Sequence, residues 1–250
     1  MDIASHEFRG PDGAPLVWHE TGEGRPVVLL HGLFSNAEIN WIKYGHAEAI
    51  AGRGFRVIMP DLRAHGRSAA PHDPAAYPPD VLARDALALI DHLGLGTYDL
   101  GGYSLGARTA VRTVVLGARP ERLLLGGMGL QGLRDTGARS SHFRRILTGL
   151  GTFERGSPEW MAEAFLKTTG GDAQALLPLL DSFVDTSEEE LRQIRQPALV
   201  LSGSEDSDNG STRDLADLLP GAVLREIPGN HMSVVTTARF GREMADFLAA

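Results

Sequence analysis

Residues 98–106 read Tyr-Asp-Leu-Gly-Gly-Tyr-Ser-Leu-Gly, and the last five of them form a G-x-S-x-G motif centred on Ser104. The residues before Ser104 have the length and apolar content of a buried strand, and a helical pattern follows. A strand that turns this sharply into a helix strains the backbone of the serine and leaves no room for side chains at Gly102 or Gly106. The motif therefore predicts a hydroxyl held at the C-terminal edge of a sheet.

The same five residues also fit a simpler role, a turn that only caps the next helix. A catalytic role for Ser104 requires further groups elsewhere in the chain. A serine hydroxyl is a weak nucleophile at neutral pH, so a neutral imidazole must accept its proton during attack. A developing oxyanion would need free backbone N–H groups, which the start of the following helix can supply.

Short apolar runs like the one before Ser104 recur along the chain. They are too short for helices and are bounded by glycine or proline, so they indicate buried strands, with helix-period segments between most of them. That alternation predicts a mostly parallel sheet with crossover helices on both faces. Asp12-Gly13, between two strand-like segments, adds an antiparallel hairpin at the sheet edge. The predicted strands cover residues 27–30, 55–59, 98–102, 122–126, 198–202 and 223–227.

The segment between the strand near Leu125 and the strand near Leu199 is several times longer than a usual connection, so we expect an insertion there. Its apolar residues fall largely at helical spacings, and residues 187–190, Ser-Glu-Glu-Glu, have the pattern of a capping box. We therefore predict a small helical cap at residues 131–190, within the same domain as a core made of residues 1–130 and 191–250.

The amino-acid composition and net charge limit the kinds of molecule that this protein is expected to bind. The chain has 250 residues, of which 42% are hydrophobic and 22% charged, as expected for one globular domain. A net charge of -8 disfavours nucleic acid and anionic membranes as partners. No cysteine is present, and the N-terminal residues show no targeting signal. The sequence predicts a cytoplasmic protein that acts on a small molecule, with its oligomeric state open.

Four further segments, together with the motif at Ser104, make the chain resemble the α/β-hydrolase family. They are His31-Gly32-Leu33-Phe34, the D-L-R-A-H-G-R-S loop at residues 61–68, Gly203-Ser204-Glu205-Asp206 and Pro228-Gly229-Asn230-His231. One departure from the family pattern is Ala64, which stands where glycine is usual. The resemblance covers nearly the whole chain except the predicted cap.

This resemblance implies an eight-stranded, mostly parallel α/β sheet with the cap inserted after the sixth strand. It also implies a catalytic triad in the family's order of Ser, Asp and His. Ser104 would be the nucleophile, His231 the general base, and Asp206 the acid that orients His231. The main-chain N–H groups of Leu33 and Leu105 would form the oxyanion hole.

Several assignments have competitors. Asp208 could take the place of Asp206 if the loop were wound differently, and Glu205 is a weaker alternative. Phe34 and Tyr103, beside the oxyanion loop and the nucleophile, are candidates to line the substrate pocket. By the same resemblance, His31 and His65 would support loops by hydrogen bonding, and His142 is expected on the surface of the cap.

The expected activity is hydrolysis of small, uncharged, partly apolar esters through an acyl-enzyme, with no cofactor and no metal. Carbon–carbon bond hydrolysis, lactone opening, thioester cleavage and perhydrolysis fit the same triad, and a non-catalytic ligand-binding protein is the alternative from another class. Epoxide hydrolases and haloalkane dehalogenases are disfavoured, because the resemblance would require aspartate in place of Ser104. Residues 127–132 match G-x-G-x-x-G, but they follow the wrong strand for a dinucleotide site.

Overall fold

Eight strands form one mixed sheet in the computed structural model, which describes residues 2–250. The bounds match the predicted strands closely, and the hairpin around Asp12-Gly13 supplies the first two. The strands are β1 (Ala4–Arg9), β2 (Pro15–Thr21), β3 (Arg25–Leu30), β4 (Phe55–Pro60), β5 (Asp99–Tyr103), β6 (Leu123–Gly126), β7 (Ala198–Gly203) and β8 (Val223–Ile227).

The sheet order is β1-β2-β4-β3-β5-β6-β7-β8. Strand β2 pairs antiparallel with both β1 and β4, and every other neighbouring pair is parallel. The predicted fold class, an eight-stranded and mostly parallel α/β sheet, is confirmed. Because parallel strands share one carboxyl edge, the loops that follow β3, β5, β6, β7 and β8 meet there.

Helices cover both faces of the sheet. The helices outside the long connection between β6 and β7 are α1 (His46–Ala51), α2 (Val81–His92), α3 (Leu105–Val115), α9 (Thr212–Leu218), α10 (His231–Val234) and α11 (Ala238–Ala249), with a π-helix at Glu38–Ile42 and a 3-10 helix at Pro74–Ala76. The apolar side chains divide into two clusters. One joins α1 and α11 to the sheet, and the other joins α2, α3, α9 and the helices of that connection to the opposite face. No helix in residues 2–250 is long and apolar enough to cross a bilayer.

The long connection between β6 and β7 is helical, as the apolar spacing predicts. Ser187 opens its last helix with the expected capping box, since its side chain accepts a hydrogen bond from the Glu190 N–H while the Glu190 carboxylate accepts one from the Ser187 N–H. The division into a core and a cap at residues 131–190 stays a prediction. The inserted helices are α4 (Leu130–Arg134), α5 (Thr136–Thr148), α6 (Pro158–Thr168), α7 (Ala173–Asp181) and α8 (Glu188–Gln193).

The turn from β5 into α3 is strained and crowded, as the G-x-S-x-G motif predicts. Ser104 has φ 53° and ψ −111°, a conformation that L-residues rarely adopt. A Cβ atom on Gly102 would lie 2.3 Å from the Gly106 carbonyl carbon, and one on Gly106 would lie 1.8 Å from the Leu30 carbonyl oxygen. Both contacts involve backbone, which cannot move aside, so only glycine fits at either position.

We predict that Gly106→Ala lowers the free energy of unfolding by about 3 kcal/mol or more, because the new methyl group would push α3 away from β3. Gly137→Ala in α5 is the control. Its Cβ would meet nothing closer than 3.6 Å, so that variant should gain up to about 1 kcal/mol. Urea unfolding of both variants measures the difference, and equal midpoints would contradict the assignment of crowding to Gly106.

Candidate active site

The structure brings Ser104, His231 and Asp206 together at the carboxyl edge of the sheet. His231 Nε2 lies 3.1 Å from Ser104 Oγ, and His231 Nδ1 lies 2.8 Å from Asp206 Oδ2. Asp206 is almost fully buried, with its side chain 3% exposed. In this arrangement the imidazole can accept a proton from the hydroxyl on one side while the carboxylate holds the other nitrogen.

Two loops carry the acid and the histidine, and their backbones touch. The Ser204 N–H donates to the Ile227 carbonyl at 2.8 Å, and the Glu205 N–H donates to the Gly229 carbonyl at 3.0 Å. A side chain at Gly203 would lie 2.1 Å from that Gly229 oxygen. The glycine that begins the G-x-x-D turn is therefore required by this close approach of the two loops.

His231 is the first residue of the short helix α10. The Asn230 side chain caps this helix by accepting hydrogen bonds from the N–H groups of Met232 and Ser233. The Asn230 N–H in turn donates to Ser233 Oγ at 2.9 Å. The loop that follows β8 is thus fixed by local hydrogen bonds, which hold the backbone of His231 in one position.

Of the three acidic residues weighed for the triad, Asp206 is the one whose carboxylate contacts His231. Asp208 lies beyond it, and its N–H donates to Asp206 Oδ1 at 3.1 Å. Glu205 is exposed. The geometry favours Asp206 as the orienting acid and gives Asp208 a supporting contact.

Tyr103 is buried behind His231. Its hydroxyl donates to the His231 carbonyl, its ring lies 5.1 Å from the imidazole ring, and it packs edge-on against Phe240. Tyr103 and Phe240 both belong to the apolar cluster on the α1 and α11 face of the sheet. The expectation that Tyr103 lines the substrate pocket does not fit this position, because its side chain points to the opposite face of the sheet from Phe34 and the inserted helices.

The loop after β3 is held by its own backbone hydrogen bonds. The Gly32 N–H donates to Asn40 Oδ1 at 2.9 Å, and the Phe34 N–H donates to His65 Nε2 at 3.2 Å, with Phe34 at φ 62°. Between them, the Leu33 N–H finds no acceptor within residues 2–250. Gly32 lies against the backbone of Tyr103, since a Cβ there would be 3.5 Å from the Tyr103 carbonyl oxygen.

Leu105, the first residue of α3, has an N–H with no intrahelical acceptor. The two amides proposed from the sequence for the oxyanion hole, those of Leu33 and Leu105, therefore follow two strands that are paired in register, β3 and β5. Both strands end at the carboxyl edge that holds Ser104. Free N–H donors at that edge could receive a negative oxygen.

The loop at residues 61–68 supports the loop that carries Leu33. The Asp61 carboxylate accepts hydrogen bonds from the N–H groups of Ala37 and Arg67, and its pKa is about 2 because these bonds and His19 outweigh the effect of burial. Ala64 takes φ 67°, the left-handed conformation that explains why glycine is usual there.

His31 and His65 behave as loop supports. His31 Nε2 accepts from the Leu62 N–H at 2.9 Å, while His65 Nε2 accepts from the Phe34 N–H. Burial lowers the pKa of His31, and burial together with the nearby His31 lowers the pKa of His65 to about 3. Both rings therefore stay neutral at physiological pH, as their role as acceptors requires.

Three residues of the inserted helix α5 reach the core near this edge. Phe143 packs edge-on against Phe34 at 5.4 Å, with the half-buried His142 beside it. The Arg139 guanidinium lies over the ring of Phe143 at 4.9 Å. Sequence reasoning missed Arg139, and it also missed Arg108, which is buried one helical turn after Ser104.

A sequence model of the alpha/beta hydrolase fold family matches residues 25–123. An AB hydrolase superfamily protein of Bacillus subtilis, YisY, is 30% identical over 226 residues, which are 80% of this chain and 81% of that protein. An epoxide hydrolase of Caballeronia sordidicola is 35% identical over 111 residues, but the match spans 44% of this chain and only 32% of that relative.

The crystal structure of a hydrolase from Pseudomonas aeruginosa superposes with a TM-score of 0.80 at 24% identity, covering 98% of each chain. Non-heme haloperoxidases are also among the sequence relatives, and an esterase is among the structures with this fold. The chain belongs to the α/β hydrolase fold family.

We predict that burial of neutral His65 makes the protein acid-sensitive. Its pKa is about 3 when folded, against an ordinary value of 6.5, so the unfolded chain binds more protons between these limits and stability is lost as the pH falls through them. Protonation of His65 in the unfolded chain should by itself lower the free energy of unfolding by about 2 kcal/mol between pH 7 and pH 5. Urea unfolding at both pH values should show a smaller loss for His65→Asn than for wild type. An identical loss of unfolding free energy in the two proteins would contradict the assignment of the acid sensitivity to His65.

Proposed function

We propose that this protein is a serine hydrolase that cleaves small carboxylic esters through an acyl-enzyme, with Ser104 as nucleophile, His231 as general base and Asp206 as the orienting acid. The observation that carries the proposal is the continuous chain of contacts from Ser104 Oγ to His231 Nε2 and from His231 Nδ1 to Asp206 Oδ2, at 3.1 and 2.8 Å. A non-catalytic protein would have no need to maintain this chain on a strained serine.

In the first half-reaction Ser104 Oγ forms a bond to the ester carbonyl carbon while its proton passes to His231 Nε2. The imidazolium then gives that proton to the leaving alcohol oxygen as the carbon–oxygen bond breaks. In the second half-reaction water attacks the acyl-enzyme, His231 takes its proton, and Ser104 recovers a proton as the acid leaves. Asp206 stays ionised throughout and stabilises the imidazolium.

The tetrahedral intermediate places a negative charge on the former carbonyl oxygen. We assign this oxygen to the N–H groups of Leu33 and Leu105, which follow the paired strands β3 and β5. One such donor typically contributes about 3 to 4 kcal/mol to lowering the barrier. These donors are fixed before the substrate binds, so little reorganisation is needed during the reaction.

The same triad can serve other reactions, but ester hydrolysis requires the fewest groups in addition to it. A family relative is named an epoxide hydrolase, but Ser104 stands where the resemblance would require aspartate for that chemistry. Lactones and thioesters differ from esters in the leaving group alone. They belong in the same substrate screen.

We predict that purified protein hydrolyses p-nitrophenyl butyrate and that Ser104→Ala lowers kcat by at least about 10⁴-fold, since no other group can form the acyl-enzyme. Ser202→Ala is the matched control. Ser202 lies in β7, is buried, and its hydroxyl has no hydrogen-bond partner in residues 2–250. Release of p-nitrophenol is followed at 400 nm. Wild-type rates in Ser104→Ala would remove Ser104 from the mechanism.

A second prediction separates the two aspartates. Asp206→Asn should lower kcat by about 10⁴-fold, because an amide favours the wrong tautomer of His231. Asp208→Asn should cost at most about tenfold, because Asp208 contacts Asp206 only through its backbone N–H. Steady-state kinetics of the two variants on the same ester make the comparison. A larger loss in Asp208→Asn than in Asp206→Asn would transfer the role to Asp208.

A further inference from the structure

The helix that carries His231 is too short to be stable without support from the rest of the protein. Helix α10 has four residues, and isolated helices of this length do not persist in water. The exposed Asn230 side chain caps its first turn, but it fixes only the local backbone. The position of α10 against the sheet, and with it the position of the His231 side chain, therefore depends on contacts with the core.

Two buried rings donate hydrogen bonds to carbonyl groups at the two ends of α10. The Tyr103 hydroxyl donates to the carbonyl of His231, the first residue of the helix. At the other end, His46 Nε2 lies 2.6 Å from the carbonyl oxygen of Val235, which follows the last residue. Because a carbonyl oxygen can only accept, His46 Nε2 carries the hydrogen. Tyr103 is 4% exposed and His46 is 0% exposed, so bulk water does not compete for either bond.

Packing holds both of these rings in place. Phe240 of α11 packs edge-on against each of them, with its ring centre 5.5 Å from that of Tyr103 and 5.4 Å from that of His46. Backbone lies close to each ring on a further side. A Cβ on Gly127 would lie 2.7 Å from the Tyr103 ring, and one on Gly241 would lie 2.7 Å from His46 Nδ1. The two donors are thus held rigidly, as the support of a functional side chain requires.

Both donors keep their hydrogen at neutral pH. Burial, and next the negative charges of Asp206 and Asp208, raise the pKa of Tyr103 well above its ordinary value, so the hydroxyl stays protonated. Burial lowers the pKa of His46, so this ring stays neutral with its one hydrogen on Nε2. His46 Nδ1 has no hydrogen-bond partner within residues 2–250, as expected for a nitrogen without a hydrogen.

Tyr103 also links His231 to the nucleophile by a very short path. Tyr103 directly precedes Ser104 in the chain, and both side chains contact the same residue, His231. The two contacts close a ring of covalent and hydrogen bonds around the peptide that joins Tyr103 to Ser104. A movement of α10 away from the sheet would have to break the Tyr103 bond, so this bond limits how far His231 Nε2 can move from Ser104 Oγ.

We propose that Tyr103 and His46 are positioning residues for the proposed general base, and that their hydrogen bonds to the two ends of α10 hold His231 at the distance that proton transfer needs. This inference rests on the proposed ester hydrolysis. Neither side chain belongs to the proton relay, and both act through the backbone that carries His231. Loss of either bond should therefore slow the proton transfers of His231 without abolishing them.

The test compares Tyr103→Phe, which loses the hydroxyl alone, with Tyr77→Phe. Tyr77 is the matched control, because it is also buried and its hydroxyl donates to a backbone carbonyl, that of Pro71, at 2.7 Å. The value of kcat/KM is measured on p-nitrophenyl butyrate and on ethyl butyrate. Rates are expressed per active site, counted by end-point labelling with a fluorophosphonate, and urea unfolding verifies that each variant is folded.

Tyr103→Phe should lower kcat/KM for p-nitrophenyl butyrate about tenfold, as expected for the loss of one hydrogen bond. The loss on ethyl butyrate should be larger, because the ethyl alcohol oxygen must receive a proton from His231 to leave, whereas p-nitrophenolate leaves without one. Tyr77→Phe should keep the wild-type rate on both esters. A role of Tyr103 in stability alone would not produce this difference between the two leaving groups.

Two variants of His46 give an independent comparison. His46→Leu loses the donor and should also show its larger loss on ethyl butyrate. In His46→Gln the side-chain amide can donate to the Val235 carbonyl, so this variant should recover most of the rate.

Wild-type rates per active site in Tyr103→Phe, or a loss by the same factor on both esters, would overturn the positioning role. If Tyr103→Phe did not fold, equal rates in the two His46 variants would overturn it. Wild-type protein that hydrolyses neither ester would instead contradict the proposed function, and the positioning role would be lost with it.

Discussion

The crowded turn at Ser104 is the constraint on which the rest of the site depends. Gly106 leaves no space between α3 and the Leu30 carbonyl, so the helix that begins at Leu105 is pressed directly onto the end of β3. Just beyond the end of that strand, Gly32 lies against the backbone of Tyr103, and Leu33 follows it directly. One junction thus fixes the nucleophile and both proposed oxyanion donors relative to one another.

The remaining proposed catalytic groups are positioned by backbone contacts between loops. The loops after β7 and β8 touch at Gly203 and Gly229, which holds the Asp206 and His231 side chains within hydrogen-bond distance. Tyr103 adds a link from the nucleophile's strand to the His231 carbonyl.

Features that follow from backbone geometry could be predicted from the sequence. Gly102 and Gly106 mark a turn that no other residue fits, and the apolar runs mark the strands, so the fold class was within reach. The grouping of Ser104 with Asp206 and His231 came from the resemblance to the α/β-hydrolase family. The direction of the Tyr103 side chain could not be predicted, because it depends on the face of the sheet to which the last residue of β5 points. The contacts of Arg139 could not be predicted from the sequence either, because they depend on how α5 packs against residues that are distant in the sequence.

Covalent labelling tests the central claim most directly. Incubation with a fluorophosphonate, followed by digestion and mass spectrometry, should place the phosphonyl group on Ser104, and labelling should become far slower in His231→Ala because the base is gone. Labelling of another residue, or an equal rate with and without His231, would contradict a proton relay through these side chains.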